Sequence, residues 1–298
     1  KKLFPRKEQV RSLTWSPDGR MLAFFVLRGG EYRLRIWHRV TGKFENVKVR
    51  GYGPIAANSH LCWSPAGRYL HFALRAKDWA AKSVKLFKYV TQGPVIIQDS
   101  EEDFLIWGKL RRRRMLMIPV RYDRKARKLH ELLPESRILS YRLAEDGSFV
   151  VFERDVTKKT DYDVIFGTTN QLEILPLPEG APKVLLKDYK ERRMRWTKDN
   201  RTLAWTEKGD VYVMGVDEET PRQLTGETKK DKEESEDKTG KKDRDKDKKE
   251  KGKEEKKDKD KKKQRFGIIS FSPDGAKLLC STTPPAEDKE EKTNYSKP

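Results

Sequence analysis

The sequence is poor in the residues that build metal centres and redox sites. It has two cysteines, Cys62 and Cys280. Its four histidines are His38, His60, His71 and His130. Both cysteines lie in apolar segments, which is typical of buried thiols rather than of a disulfide, and the redox compartment stays open. No Cys-x-x-Cys occurs, and no two histidines have the short spacing of zinc ligands. We therefore assign no metal-binding residue and expect no cofactor.

Long apolar runs and catalytic signatures are also missing. No stretch approaches the roughly 18 apolar residues that a helix needs to cross a bilayer, so the sequence predicts a soluble protein, either cytoplasmic or exported. A serine hydrolase of the α/β type carries Gly-x-Ser-x-Gly at its nucleophile, and nucleotide-binding loops are rich in glycine. Neither pattern occurs. We therefore assign no catalytic and no cofactor-binding residue to this chain.

What the sequence does contain is a turn motif that recurs with similar flanks. Its copies are Trp15-Ser16-Pro17-Asp18-Gly19, Trp63-Ser64-Pro65-Ala66-Gly67, Leu143-Ala144-Glu145-Asp146-Gly147, Trp196-Thr197-Lys198-Asp199-Asn200 and Phe271-Ser272-Pro273-Asp274-Gly275. Serine can cap such a turn, proline presets its φ, aspartate accepts backbone hydrogen bonds and glycine closes it. A short apolar run follows each copy, as expected of strand-turn-strand units. Repetition at this period is typical of a β-propeller built from four-stranded blades.

The spacing of the motif predicts the number of blades. The first repeat predicts four strands, over Val10–Trp15, Met21–Leu27, Tyr32–His38 and Phe44–Val49. The interval from Trp63 to Leu143 is too long for one blade, so we expect a degenerate blade within it. That blade would use Phe104–Trp107, Met115–Val120 and Leu129–Leu133. The sequence thus predicts an all-β propeller, incomplete in this chain, with about five blades plus the start of a sixth.

A highly charged tract interrupts the repeats. Between Lys229 and Lys263 there are 18 basic and 13 acidic residues. Such a segment cannot bury enough apolar surface to offset its ordering entropy, so we expect it to be disordered. The predicted organisation is therefore blades over 1–226, a low-complexity Lys/Asp/Glu insert over 227–265, and the start of a further blade over 266–298. Because an open arc of blades would leave sheet edges exposed, we expect the chain to be a fragment of a longer protein.

Charge outside the tract bears on possible partners. The whole chain carries +20, and about +15 remains without the tract. This charge could favour an acidic partner, but the basic residues are scattered, which disfavours nucleic acid. The sharpest cluster, Arg111–Arg114, is predicted to be a solvated turn. Trp15, Trp63 and Trp196 share one phase of the repeat and are expected in the core between blades, whereas Trp79 is expected on a loop.

The repeat at 15–24 resembles that of TolB-like propellers and of the N-terminal propeller of the prolyl oligopeptidase and dipeptidyl peptidase IV family. The segment 269–279 is similar to blades of large bacterial members of that family. The resemblance implies a C-terminal α/β-hydrolase domain with a Ser-Asp-His triad, beyond Pro298. It also implies a propeller that restricts access to the active site, so that peptides are the substrates. In some members, propeller glutamates hold the substrate N-terminus, but the context of Glu101-Glu102 does not match and the role is not transferred.

Two functions follow from this resemblance and stay open at this point. The first is a non-catalytic propeller segment that gates and selects peptide substrates for the hydrolase domain of the same parent chain. The second is a TolB-like propeller that acts as a protein–protein interaction scaffold without enzyme activity. A propeller that binds an acidic partner through its basic body is a third possibility.

Overall fold

The computed structural model describes residues 8–93, 95, 101–160, 167–190, 194–225 and 265–283. The charged tract Lys229–Lys263 lies outside these residues. The chain divides into two compact units, Lys1–Glu191 and Arg192–Pro298. No helix in the described ranges has the length and apolar character that crossing a membrane requires.

The first unit contains three consecutive blades of four antiparallel strands. Blade 1 comprises β1 (Val10–Trp15), β2 (Met21–Arg28), β3 (Glu31–His38) and β4 (Phe44–Asn46). Blade 2 comprises β5 (Cys62–Trp63), β6 (Tyr69–Leu74), β7 (Leu116–Asp123) and β8 (Lys128–Glu131). Blade 3 comprises β9 (Ser136–Leu143), β10 (Phe149–Asp155), β11 (Thr169–Pro176) and β12 (Lys183–Lys190). Two residue pairs between β7 and β9 join blades 2 and 3 into one sheet.

The second unit contains one full blade and a two-stranded sheet. The blade comprises β13 (Arg195–Trp196), β14 (Thr202–Glu207), β15 (Asp210–Gly215) and β16 (Arg222–Gln223). The two-stranded sheet pairs β17 (Arg265–Phe271) with β18 (Leu278–Thr283). Every strand pairing within these sheets is antiparallel, and the predicted all-β propeller class is confirmed.

The degenerate blade expected between Trp63 and Leu143 is wrong. Two of its predicted strands, Met115–Val120 and Leu129–Leu133, overlap β7 and β8, which are the third and fourth strands of blade 2. Its first predicted strand, Phe104–Trp107, runs into a helix instead. The long interval therefore arises from a helical insertion inside blade 2. The described residues form four full blades and the first two strands of another.

The first strands of blades 1 and 2 lie side by side. Trp63 Nε1 in β5 donates a hydrogen bond to the Thr14 carbonyl oxygen in β1, at 3.1 Å. The Leu61 amide donates to Ser12 Oγ at 3.0 Å. In these two blades the fourth strand, at the other side of the sheet, consequently lies at the perimeter. Trp63 is buried as predicted, whereas Trp15 is 48% exposed and contacts Trp37 of its own blade.

The cores lie between the faces of neighbouring blades. Alternating residues of blades 1 and 2 meet in one cluster, which includes Phe25, Leu34, Ile36, Trp63, Phe72 and Val120. Blades 2 and 3 share a second, which includes Ala73, Met117, Ile138, Tyr141, Phe152 and Leu175. A single blade cannot bury its apolar face alone, so these shared clusters are what stabilise the repeat array.

The recurring turns also contact one another from blade to blade. Gly147 has φ of +73°, and a β-carbon placed on it would lie 2.7 Å from Cδ of Pro65 in the preceding turn. Gly67 approaches Pro17 in the same way, at 3.7 Å. Glycine is therefore needed at position 147 for two reasons, its backbone conformation and its close packing against proline.

A buried tyrosine ties blade 3 to the start of blade 2. The Tyr141 hydroxyl accepts a hydrogen bond from the His60 amide at 2.9 Å, lies 3.2 Å from Ser59 Oγ and donates to the His60 carbonyl oxygen. Ser59 Oγ in turn accepts from the Ala73 amide at 2.8 Å. Burial raises the pKa of Tyr141 well above its ordinary value.

Replacing Tyr141 with phenylalanine removes the acceptor of the His60 amide and the donor to the His60 carbonyl oxygen. We expect a loss of about 1–3 kcal/mol in the free energy of unfolding, measured by urea denaturation. Tyr89→Phe is the matched control, because Tyr89 is 56% exposed. An equal effect of the two substitutions would contradict this role of the hydroxyl.

Candidate functional site

The feature that departs most from a plain blade lies between β6 and β7, where the structure describes residues 75–93, 95 and 101–115; we call these residues the insert. It connects β6 to β7 and contains two helices, α1 (Trp79–Val90) and α2 (Ile106–Arg113). Trp79, Ser83 and Leu86 are half-buried and Val90 is buried, at the spacing expected of one helix face. The remaining positions of α1 are exposed, so the insert packs one face of α1 inward.

Arg75 fixes the beginning of the insert. Its amide donates to the Pro54 carbonyl oxygen, and its carbonyl oxygen accepts from the Gly53 amide, both at 2.9 Å. Its guanidinium donates to the carbonyl oxygens of Leu116 and Arg114, at the far end of the insert. Burial lowers the pKa of Arg75 to about 10. One side chain thus closes the insert at its base, beside the connection from blade 1.

A second set of contacts holds the two helices together. The Trp79 ring lies 4.6 Å from the Arg75 guanidinium, and its Nε1 donates to the Arg113 carbonyl oxygen at 2.9 Å. Arg113 Nε donates to Ser83 Oγ at 2.9 Å. The prediction of a loop position for Trp79 is wrong, because Trp79 begins α1 and anchors it to α2.

A third set, a buried ion cluster, fixes the insert to blade 3. Arg112 and Arg137 each lie 3.6 Å from Asp155 Oδ2, and the Asp155 side chain is completely buried. The Phe104 ring lies 4.0 Å from the Arg112 guanidinium. The Thr160 amide donates to the Asp103 carbonyl oxygen at 2.7 Å. Burial lowers the pKa of Arg112, and the Asp155 carboxylate opposes this shift.

The prediction of a solvated turn at Arg111–Arg114 is therefore wrong for its two central residues, Arg112 and Arg113. Arg112 and Arg113 belong to α2 and reach blade 3 and α1, respectively. Their methylene stems and planar guanidinium groups suit them to such half-buried positions. The repeated arginines carry no periodic apolar signal, which is why the sequence did not reveal them as anchors.

Other side chains of interest are engaged in local structure. Glu102 pairs with Lys109 of α2, and both glutamates of the pair at 101–102 are exposed. Ser16 Oγ donates to Asp18 Oδ1 at 2.5 Å and accepts from the Met21 amide at 2.9 Å, so it serves the turn. Within the described ranges, no three His, Cys, Asp or Glu side chains cluster as metal ligands would.

The outer surface of the insert is apolar and basic. Four of its large hydrophobic side chains are about half exposed, namely Val84, Phe87, Tyr89 and Trp107. Lys82, Lys85 and Lys88 accompany them on α1. Exposed aromatic and aliphatic side chains beside cations are suited to contact with a peptide or protein.

The position of the insert follows from the order of the strands. Strands of a blade alternate in direction, so the chain begins the first strand and leaves the fourth strand on the same face. The connection between the second and third strands lies on that face too. The insert occupies this connection and contacts the blade 1–2 connection at Gly53 and Pro54.

No protein-family model and no curated protein sequence matches the chain. Among solved structures, an oligogalacturonate lyase in complex with manganese matches with a TM-score of 0.50 at 11% identity, over 96% of this chain and 63% of the lyase. A prolyl endopeptidase matches with a TM-score of 0.43 at 13% identity, over 76% of this chain and 29% of that one. The β-propeller domain of the trilobed protease from Pyrococcus furiosus matches with a TM-score of 0.41 at 11% identity, over 73% of this chain and 57% of that one.

The chain thus spans less than two thirds of the length of each of these structures. At identities this low, likeness shows the fold alone. Together with the antiparallel four-stranded sheets, it shows that the chain is built from blades of a β-propeller.

Proposed function

We propose that this chain is the non-catalytic propeller segment of a prolyl oligopeptidase-family serine peptidase. In this role it gates and selects peptide substrates for an α/β-hydrolase domain of the same parent chain. The observation that supports the proposal is the position of the insert. A domain joined after the last blade would meet the face on which the chain leaves each blade, and the insert stands on that face.

The construction of the insert fits a selective barrier. Arg75, Arg113 and the Asp155 ion cluster hold it at three places, so its outer surface is kept in one position. A fixed obstacle admits short peptides and rejects long polypeptides and folded proteins by size. The exposed Phe87 and Trp107 would contact apolar substrate side chains, while the lysines of α1 would favour acidic ones.

The full-length parent protein provides the test. A fluorophosphonate probe should label one serine outside this chain, and short fluorogenic peptides should be cleaved much faster than casein. Absence of labelling would refute the peptidase assignment.

Loosening the insert should relax the barrier. In the full-length protein, Trp79→Ala removes a contact of the ring with Arg75 and a hydrogen bond to Arg113. We expect casein cleavage to rise several-fold while cleavage of a short peptide changes little, because the hydrolytic groups are untouched. Lys85→Ala, at an exposed position of the same helix, is the matched control. Parallel changes for casein and the short peptide would argue against gating.

A scaffold without enzyme activity is the second candidate, and the exposed apolar surface of α1 favours it. In that case the fluorophosphonate probe would label no serine of the parent protein. Phe87→Ser would then weaken association with a protein partner without changing the unfolding transition, since Phe87 is 52% exposed.

A further inference from the structure

A basic groove lies at the perimeter of the first unit, and no residue of the insert is among its lining residues. Its larger part has a volume of about 580 Å³ and lies between the segment 45–52 of blade 1 and the β7–β8 hairpin of blade 2. A smaller part of about 520 Å³ adjoins it and shares Glu45 and Arg127. We call the two parts together the perimeter groove.

Cations dominate the lining of the perimeter groove. They are Lys43, Lys48, Arg50, Arg124, Arg127 and Lys128. Glu45 is the one carboxylate that lines it, and both of its oxygens are engaged. Tyr122 OH donates to Oε1 at 3.4 Å, and His38 Nε2 lies 3.4 Å from Oε2. The groove therefore carries excess positive charge.

Most of these cations have no acidic partner in the part of the chain that the structure describes. Arg124 is engaged through Nη1 with the Gly67 carbonyl oxygen and lies over the Trp63 ring. The other five form no ion pair within those ranges. A nearby turn places Arg127 at the groove, with φ of +53°. Unpaired cations along a concave surface attract an anionic ligand.

The spacing along blade 1 indicates the form of that ligand. From Asn46, the last residue of β4, exposure alternates along the chain. Asn46, Lys48 and Arg50 are exposed, Val47 is buried and Val49 is half-buried. Alternate residues of an extended chain lie about 6.6 Å apart, which is also the repeat of alternate side chains in an extended peptide. β4 is the last strand of its blade, and an extended peptide can lie along such an edge.

The aromatic side chains argue for peptide rather than nucleic acid. Single-stranded nucleic acids bind through rings on which bases stack. Tyr122 is 4% exposed, and the Phe44 ring is covered by the Arg35 guanidinium at 4.5 Å. Tyr122 is therefore closed to bases, and one face of Phe44 is occupied. Tyr52, the third ring of the lining, is half-buried and its hydroxyl donates to Glu131 at 2.8 Å. The lining thus offers no open row of rings on which successive bases stack. We propose that the perimeter groove binds an extended protein segment with acidic side chains at alternate positions.

The proposal is independent of the peptidase assignment and can be tested with a defined probe. The probe is a fluorescein-labelled octapeptide of alternating aspartate and alanine, and its binding is followed by fluorescence anisotropy at physiological ionic strength. The double variant K48E/R50E should bind the probe at least about tenfold more weakly than the native protein. The control K183E/K187E carries the same charge change at exposed positions of β12 in blade 3 and should differ by less than about twofold.

Three results would overturn the proposal. Equal weakening by the two double variants would mean that net charge alone attracts the probe. Equal affinity for a peptide with the same aspartates in one block would remove the requirement for alternate spacing. Displacement of the probe by single-stranded DNA of the same length at lower concentration, with the same loss in K48E/R50E, would assign the groove to nucleic acid. Near-ultraviolet circular dichroism should be unchanged in both variants, because all four positions are exposed.

Discussion

Replacing Asp155 with alanine should destabilise the first unit by about 3–5 kcal/mol, because the substitution leaves charged partners of a buried ion cluster uncompensated. Asp155 is completely buried, and it lies 3.6 Å from Arg112 and from Arg137. Its other oxygen accepts hydrogen bonds from the amide and hydroxyl of Thr157, at 2.9 and 2.5 Å. Loss of the carboxylate therefore weakens both the fold of blade 3 and the contact of blade 3 with the insert. The measurement is urea denaturation followed by circular dichroism.

Two further variants separate charge from hydrogen bonding. Asp155→Asn keeps an oxygen that accepts from Thr157 but removes the negative charge. It should therefore lower the free energy of unfolding, but by less than Asp155→Ala does. Asp78→Ala removes an exposed carboxylate that pairs with Lys82 at 2.5 Å, and it should change the free energy of unfolding little because solvent screens the pair. If Asp155→Ala were as mild as Asp78→Ala, the cluster would not hold the insert on blade 3.

The second large effect is a dependence of stability on pH that arises from His71. His71 is 3% exposed in β6, and burial lowers its pKa from 6.5 to about 4, with a smaller contribution from the Arg121 charge. In the unfolded chain the imidazole takes up a proton below pH 6.5, whereas in the folded chain it stays neutral until about pH 4. Stability is therefore lost as the pH falls through this window. The shift corresponds to roughly 3 kcal/mol.

A non-titrating side chain at this position isolates the effect. His71→Gln should have a shallower decline in the free energy of unfolding between pH 6.5 and pH 4 than the native protein. His130→Gln is the matched control, because His130 is exposed. Carboxylates contribute the same slope to all three proteins, so the difference in slope reports His71 alone. Indistinguishable slopes for the native protein and His71→Gln would contradict this assignment.

The sequence predicted the blades well because their signals are local. Each turn motif positions a hairpin through its own side chains, as Ser16 and Asp18 do in blade 1. The four strands predicted for the first repeat agree with β1–β4 closely, except that β4 ends at Asn46. Alternation of apolar residues then places the shared cores between blades.

The insert and the perimeter groove could not be predicted in the same way. The helical connection within blade 2 lengthens the interval between Trp63 and Leu143. Because the other motifs recur at about the length of one blade, this long interval predicted an additional, degenerate blade. The roles of Arg75, Arg112 and Arg113 depend on contacts with residues distant in sequence, such as Leu116, Asp155 and Ser83. The groove combines two blades, so its cations are scattered in the sequence and converge only in the folded chain.

The stacking of turns has a consequence for how such a chain can be duplicated or recombined. Two turn glycines lie against the proline of the turn before them, Gly147 against Pro65 and Gly67 against Pro17. A blade is therefore matched to its neighbours through its turns as well as through its apolar faces. A chimaera that exchanges one blade would therefore place a foreign turn against both of its neighbours, so the turn contacts at each end of the exchanged blade would have to be matched as well.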